Sequence, residues 1–118
     1  MKDHKDLDVW KHSMSLAEHI YTLTKDFPLD EKHGLISQMK RAVVSIPSNI
    51  AEGAGRKGNK EFIQFMYIAM GSLSELETQL LLAHRLQFVN SVDDHLDQIE
   101  KIKQMLFGLI RYINNRKS

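Results

Sequence analysis

Apolar residues in this chain recur every three or four positions, and no stretch alternates with period two for long enough to make a strand. That property restricts the fold to helices packed on helices. A first helix is expected from about Asp8 to Asp26. Trp10, Met14, Ala17, Tyr21 and Thr24 make one line on it, with Leu16, Ile20, Leu23 and Phe27 beside them. Phe27-Pro28-Leu29-Asp30 ends it, because proline cannot continue the ladder and turns its predecessor away from helix. Asp30 is the expected N-cap of a second helix that reaches about Gly55. Its apolar stripe is Met39, Val43, Ile46 and Ile50, in phase on both sides of Pro47, so one helix kinked at Pro47 is expected rather than two.

Gly53 to Gly58 supply the next turn, and Asn59 is the expected cap of a third helix to about Gln87. Its stripe is Phe62, Phe65, Met66, Ala69, Leu73, Leu76, Leu80 and Ala83. Ser91, with Asp94 three residues on, reads as a capping box for a fourth helix. Along that helix Val92, Leu96, Ile99, Ile102, Leu106, Leu109, Ile110 and Ile113 recur at near-heptad spacing. Four long helices with short connections imply an all-α, antiparallel up-down-up-down four-helix bundle. The 118 residues suit one domain, 1–118, with 1–7 and 114–118 frayed.

Composition narrows the function classes. Apolar content of 42% and charged content of 26% belong to a globular chain. No run of apolar residues is long enough to span a membrane, and the N-terminal residues are charged rather than signal-like. The absence of cysteine removes disulfides, thiol nucleophiles and thiolate metal sites. A cytoplasmic protein without membrane or cofactor is expected. A net charge of +1 does not by itself indicate nucleic-acid binding, so that case rests on local clustering.

The clustering lies around Ser45-Ile46-Pro47-Ser48-Asn49-Ile50-Ala51-Glu52-Gly53. Arg41, Ser45, Ser48, Asn49, Glu52 and Arg56 share the helix face opposite the apolar stripe. Serine and asparagine are mediocre helix formers, so this face is a candidate contact surface, with a plain solvated face as the alternative. The far side of the third helix is also small and polar, with Lys60, Gln64, Gly71, Ser74, Glu75 and Thr78. A glycine inside a helix costs about 1 kcal/mol relative to alanine, and close backbone approach of a neighbour at Gly71 would offset it. Glu52 stands four residues before Arg56, an ion-pair spacing that serves equally on a free surface or within an interface. Between Lys40 and Lys60 the cations Lys40, Arg41, Arg56, Lys57 and Lys60 face a single acid, Glu52. A second basic group, Lys101, Lys103, Arg111, Arg116 and Lys117, has no acid among it. Both groups suit phosphates, with backbone electrostatics dominating and little sequence readout.

Reaction chemistry finds little support. Gly53-Ala54-Gly55-Arg56-Lys57-Gly58 spells the dinucleotide fingerprint, but a helix precedes it where a strand is required. The six histidines include no His-Glu-x-x-His, and the paired Glu-x-x-His motifs of di-iron bundles are missing. His84 adjoins the third core stripe and is expected as a hydrogen-bonded interior or interface group. No histidine or oxyanion device is placed to activate Ser45 or Ser48. No catalytic residue, metal or cofactor is assigned.

Four segments occur in order that together resemble one family: Ile20 to Pro28, Gly34 to Ala42, Ser45 to Gly53, and Gly71-Ser72-Leu73-Ser74-Glu75-Leu76-Glu77. The chain from Leu7 to Ile113 resembles the four-helix-bundle proteins encoded by intervening sequences in bacterial 23S ribosomal RNA genes. It is more distantly similar to the accessory variability protein of diversity-generating retroelements. The resemblance implies a small bundle assembled as a homopentamer around a central channel, with RNA or an RNA-associated protein as partner and no catalytic residues. The expected phosphate-facing set is Lys40, Arg41, Arg56, Lys57 and Lys60. Ser45, Ser48, Asn49, Glu52 and Glu75 form the expected subunit-contact stripe. A protein-interaction scaffold with no nucleic acid is the rival expectation.

Overall fold

Four α-helices make up most of residues 3–116, the part of the chain that the computed structural model describes. They are α1 (Asp8–Thr24), α2 (Leu35–Ala54), α3 (Asn59–Arg85) and α4 (Asp93–Arg116), and no strand occurs among the described residues. Short 3-10 turns at His4–Asp6 and Leu29–Glu31 complete the secondary structure. Among the described residues no helix is long and apolar enough to cross a membrane.

The helices form a four-membered ring in which α1 packs on α2 and α4, and α3 packs on the same two. The result is a rod of 51 × 22 × 19 Å. Leu16 and Ile20 from α1 meet Met39, Val43, Ile46 and Ile50 from α2 in its core. Leu73, Leu76 and Leu80 from α3 and Ile99, Ile102 and Leu106 from α4 complete it. Each of these side chains is buried almost completely, a contribution of about 1.5–3 kcal/mol apiece. The stripes expected on α2, α3 and α4 are thus the ones that turn inward, with Phe65, Leu96 and Leu109 half-buried at the margins.

On α1 the outcome differs. Of the line Trp10, Met14, Ala17, Tyr21 and Thr24, only Thr24 is buried, while Met14 and Tyr21 are each 41% exposed. The neighbouring line, Leu16 and Ile20, takes the core instead, joined by Val9 and Ser13. The Ser13 hydroxyl is tolerated there because it donates to the Val9 carbonyl at 2.8 Å.

α2 continues through Pro47, which is itself buried, so a single helix spans the segment. It begins later than expected. Asp30 falls in the preceding 3-10 turn, and the Glu31 carboxylate accepts from the Leu35 N–H at 3.1 Å. A longer side chain reaching one turn ahead thus serves the role expected of Asp30. Asn59 makes no side-chain cap at the start of α3. At α4, Ser91 Oγ accepts from the Asp93 N–H at 3.3 Å, but the return bond from Asp94 that a capping box requires is not formed. α3 ends in a Schellman turn, with Phe88 N–H donating to Ala83 and Gln87 N–H to His84, and Gln87 at a φ of 65°.

Gly53 lies inside α2, not in the turn. A Cβ placed there would stand 2.7 Å from Phe65 Cβ, so the missing side chain lets α3 approach closely. At Gly71 the reverse holds: apart from its own turn of helix, nothing among the described residues lies within 4 Å of an added Cβ. The neighbour expected to offset that glycine is not supplied by the chain's described residues. His84 is exposed on α3 and makes no side-chain hydrogen bond among the described residues, which removes the interior half of the interior-or-interface placement expected of it.

Candidate nucleic-acid interface

α2 positions most of the candidate residues, because its inward stripe of Met39, Val43, Ile46 and Ile50 fixes which way the rest of the helix faces. Ser45 and Asn49 turn toward α3. Ser45 Oγ donates to the Ala42 carbonyl at 2.8 Å and also meets Ser72 Oγ on α3. A hydroxyl has one proton, so Ser72 is the donor in the second contact. Asn49 Nδ2 donates to the Ser45 carbonyl at 2.7 Å. With Gln38, Arg41 and Glu75 these residues line a shallow polar groove between α2 and α3. Ser48 is not part of it. That residue lies on the other flank of α2, beside Trp10, Met14, Val44 and Pro47 in the groove toward α1. The stripe that looked continuous in sequence is therefore divided between two grooves.

The cations divide as well. Arg41 stands thirteen positions, about 20 Å at helical rise, before the end of α2 at Ala54, whereas Arg56 and Lys57 follow that end and Lys60 lies in the first turn of α3. At the earlier position, Lys40 Nζ sits 4.7 Å from the Tyr21 ring centroid, and Arg41 Nη1 donates to Ser37 Oγ at 2.8 Å. At the later one, Arg56 pairs with Glu52 at 2.7 Å and lies over the Phe65 ring at 5.0 Å. Both Glu52 and Arg56 are well exposed, so this pair contributes on the order of 0.5 kcal/mol or less. Lys57 and Lys60 are exposed and form no ion pair among the described residues. Glu75 is exposed on α3 and also unpaired among them.

The second basic group divides too, with Lys101 and Arg111 exposed and forming no ion pair among the described residues. Lys103 is half-buried and bonded to Glu77 at 3.0 Å across the α3–α4 seam, and Arg116 lies over Tyr112 at 5.4 Å. Lys117 falls outside the described residues. Sequence reasoning missed Tyr21, Lys32 and His33, which share a hollow with Lys40 and Arg41. The available signal was the width of the apolar surface on α1: two adjacent lines are more than one core-facing stripe needs.

At the α1–α4 seam, Gln98 Nε2 and His19 Nδ1 lie 2.7 Å apart. Nearby, His95 Nδ1 is buried with no hydrogen-bond partner. Burial, and then the His19 ring, hold the His95 imidazole below its usual protonation range against an opposing pull from Asp94. Among the described residues no group of three or more histidine or carboxylate side chains is placed to hold a metal ion.

Residues 5–108 match the model of the 23S rRNA-intervening sequence protein family. The chain belongs to that family. A crystal structure from Bacteroides thetaiotaomicron, described as a protein with unknown function from the S23 ribosomal protein family, shares the fold with a TM-score of 0.78. It is 25% identical, and the likeness covers 86% of this chain and 97% of that one. No curated protein matches the chain at a significant level. Lys40, Arg41, Arg56, Lys57 and Lys60 all fall within the family match, whereas Arg111 and Arg116 lie beyond it.

Proposed function

We propose that this family member is a non-enzymatic bundle, acting in the cytoplasm, that assembles as a ring of five and associates with structured RNA or an RNA–protein partner. Lys40, Arg41, Arg56, Lys57 and Lys60 carry the phosphate contacts. The supporting observation is that Lys40 and Arg41 stand on the first half of α2 while Arg56, Lys57 and Lys60 follow across the turn into α3, with Glu52 as the one acid between them in sequence. Cations held this far apart suit a backbone touched at two places better than a small anion in a pocket. Repetition around a ring multiplies those contacts, which is how a chain of net charge +1 would gain useful affinity.

Replacing Lys40, Lys57 and Lys60 together by glutamine is expected to weaken RNA binding evenly across sequences. The slope of log affinity against log salt should become shallower by about 2–3 for each chain engaged. Light scattering on the unaltered protein should give about five times the 13.7 kDa of one chain. Failure of the unaltered protein to bind RNA at low salt would sink the reading. One observation favours a scaffold without nucleic acid: Tyr67 and Ile68 stand exposed on α3 close to the open position at Gly71, a surface suited to a protein partner. On that reading Glu52→Ala lowers the assembly mass while the triple variant changes nothing.

A further inference from the structure

The groove between α1 and α2 opens beside Tyr21 into a hollow of about 620 Å³. Its floor is largely apolar, made by Ile36, Val44 and the Tyr21 ring. Its rim is basic, with Lys32, Lys40 and Arg41 joined by His33. None of the three permanent cations forms an ion pair with a carboxylate among the described residues. An apolar hollow lined also by cations without ion pairs matches a ligand that is anionic along one edge and aromatic on its face. An unpaired nucleotide has that form. A base-paired one hides both faces of its base in the stack.

We propose that this hollow receives an unpaired nucleotide of the bound RNA, its flanking phosphates on Lys32, Lys40 and Arg41 and its base against Tyr21. The assignment rests on the RNA-binding reading above and adds to it a preference for single-stranded segments. Lys40 now stands over the Tyr21 ring at 4.7 Å. That contact at an exposed ring is weak, so the ammonium swings readily to a phosphate and yields the ring face to a base. Ser37 holds the Arg41 guanidinium at 2.8 Å on the same rim. The Arg56–Lys60 segment between α2 and α3 has no equivalent, because Arg56 covers the Phe65 ring and is tied to Glu52. That segment therefore engages backbone without distinguishing paired from unpaired strands.

Binding of the full chain to a labelled oligouridine and to a duplex of equal length separates the possibilities. Tyr21→Ala, checked for helix content, is expected to lose about tenfold in affinity for the single strand and to leave the duplex unchanged. Tyr21→Phe should retain single-strand binding. Lys32→Gln, at an exposed position, should weaken the single strand alone, and it keeps the test available if Tyr21→Ala folds poorly. Equal loss on both RNAs, or loss on neither while the unaltered protein still binds, overturns the nucleotide site and leaves the RNA-binding reading standing. A fall in assembly mass with Tyr21→Ala also overturns it. The hollow would then seat another copy, its acidic Asp93, Asp94, Asp97 and Glu100 segment being the complementary surface. No binding of either RNA by the unaltered protein at low salt removes both readings together.

Discussion

Gly53 and Gly71 are the same residue in the same kind of helix, yet opposite changes are expected on adding one methyl group. At Gly53 a Cβ would meet Phe65 Cβ at 2.7 Å, Phe62 Cδ1 at 3.0 Å and the Phe62 carbonyl at 3.2 Å. Two of those three atoms belong to backbone or to a side-chain root, which cannot swing aside. Gly53→Ala should destabilise the fold by about 1–3 kcal/mol, read as a lower urea midpoint at unchanged slope. In sequence, Gly53 falls among Gly55 and Gly58 and is easily taken as turn material. Close helix packing and chain reversal select the same residue for different reasons, backbone proximity in one case and backbone freedom in the other.

At the level of elements, α1 and α3 each carry more surface than the core can use. α1 buries Leu16 and Ile20 and leaves Met14 and Tyr21 in the outer groove against α2. α3 leaves Gly71 open, between exposed Ile68 and Glu75 one turn to either side. With no neighbouring element among the described residues near its missing Cβ, Gly71→Ala should gain about 0.5–1 kcal/mol of helix stability, seen as a higher thermal midpoint. A lower midpoint accompanied by a loss of assembly mass would show that another copy's backbone fills the space. The helix ends were the least legible feature. Asp30, Asn59 and Ser91 are all good cap residues, but which carboxylate or hydroxyl reaches a free N–H depends on the path of the preceding turn. Glu31 reaches Leu35 because a 3-10 turn brings it there.

At the scale of the molecule, the α1–α4 seam couples stability to pH. The unfolded chain protonates His95 in the ordinary histidine range near 6.5, whereas the folded chain resists that proton through burial and the neighbouring His19. Below that range the unfolded state binds more protons than the folded one, so stability falls as pH drops from about 6.5 through the folded-state value. Asp94 opposes the shift from the same helix, and Gln98 engages His19 across the seam. The urea midpoint should fall between about pH 7 and pH 5, and His95→Gln should make that fall smaller. An unchanged pH profile in the variant would mean that the seam does not sense protons through this side chain.

The sequence by itself determined the four helices, their order and nearly all of the core, because a period of 3.6 is a property of each segment alone and survives any arrangement of its neighbours. It also placed the Glu52–Arg56 pair, which needs only the last turn of α2 and the two residues after it. The tertiary structure decided which of two apolar lines on α1 faces inward, and which glycine is a packing contact. It also decided that Ser45 and Ser48 look into different grooves, and that Tyr21 and Lys32 join Lys40 and Arg41. Those facts depend on where a second helix lies, and the rotation of one helix against another is fixed only when all four pack at once.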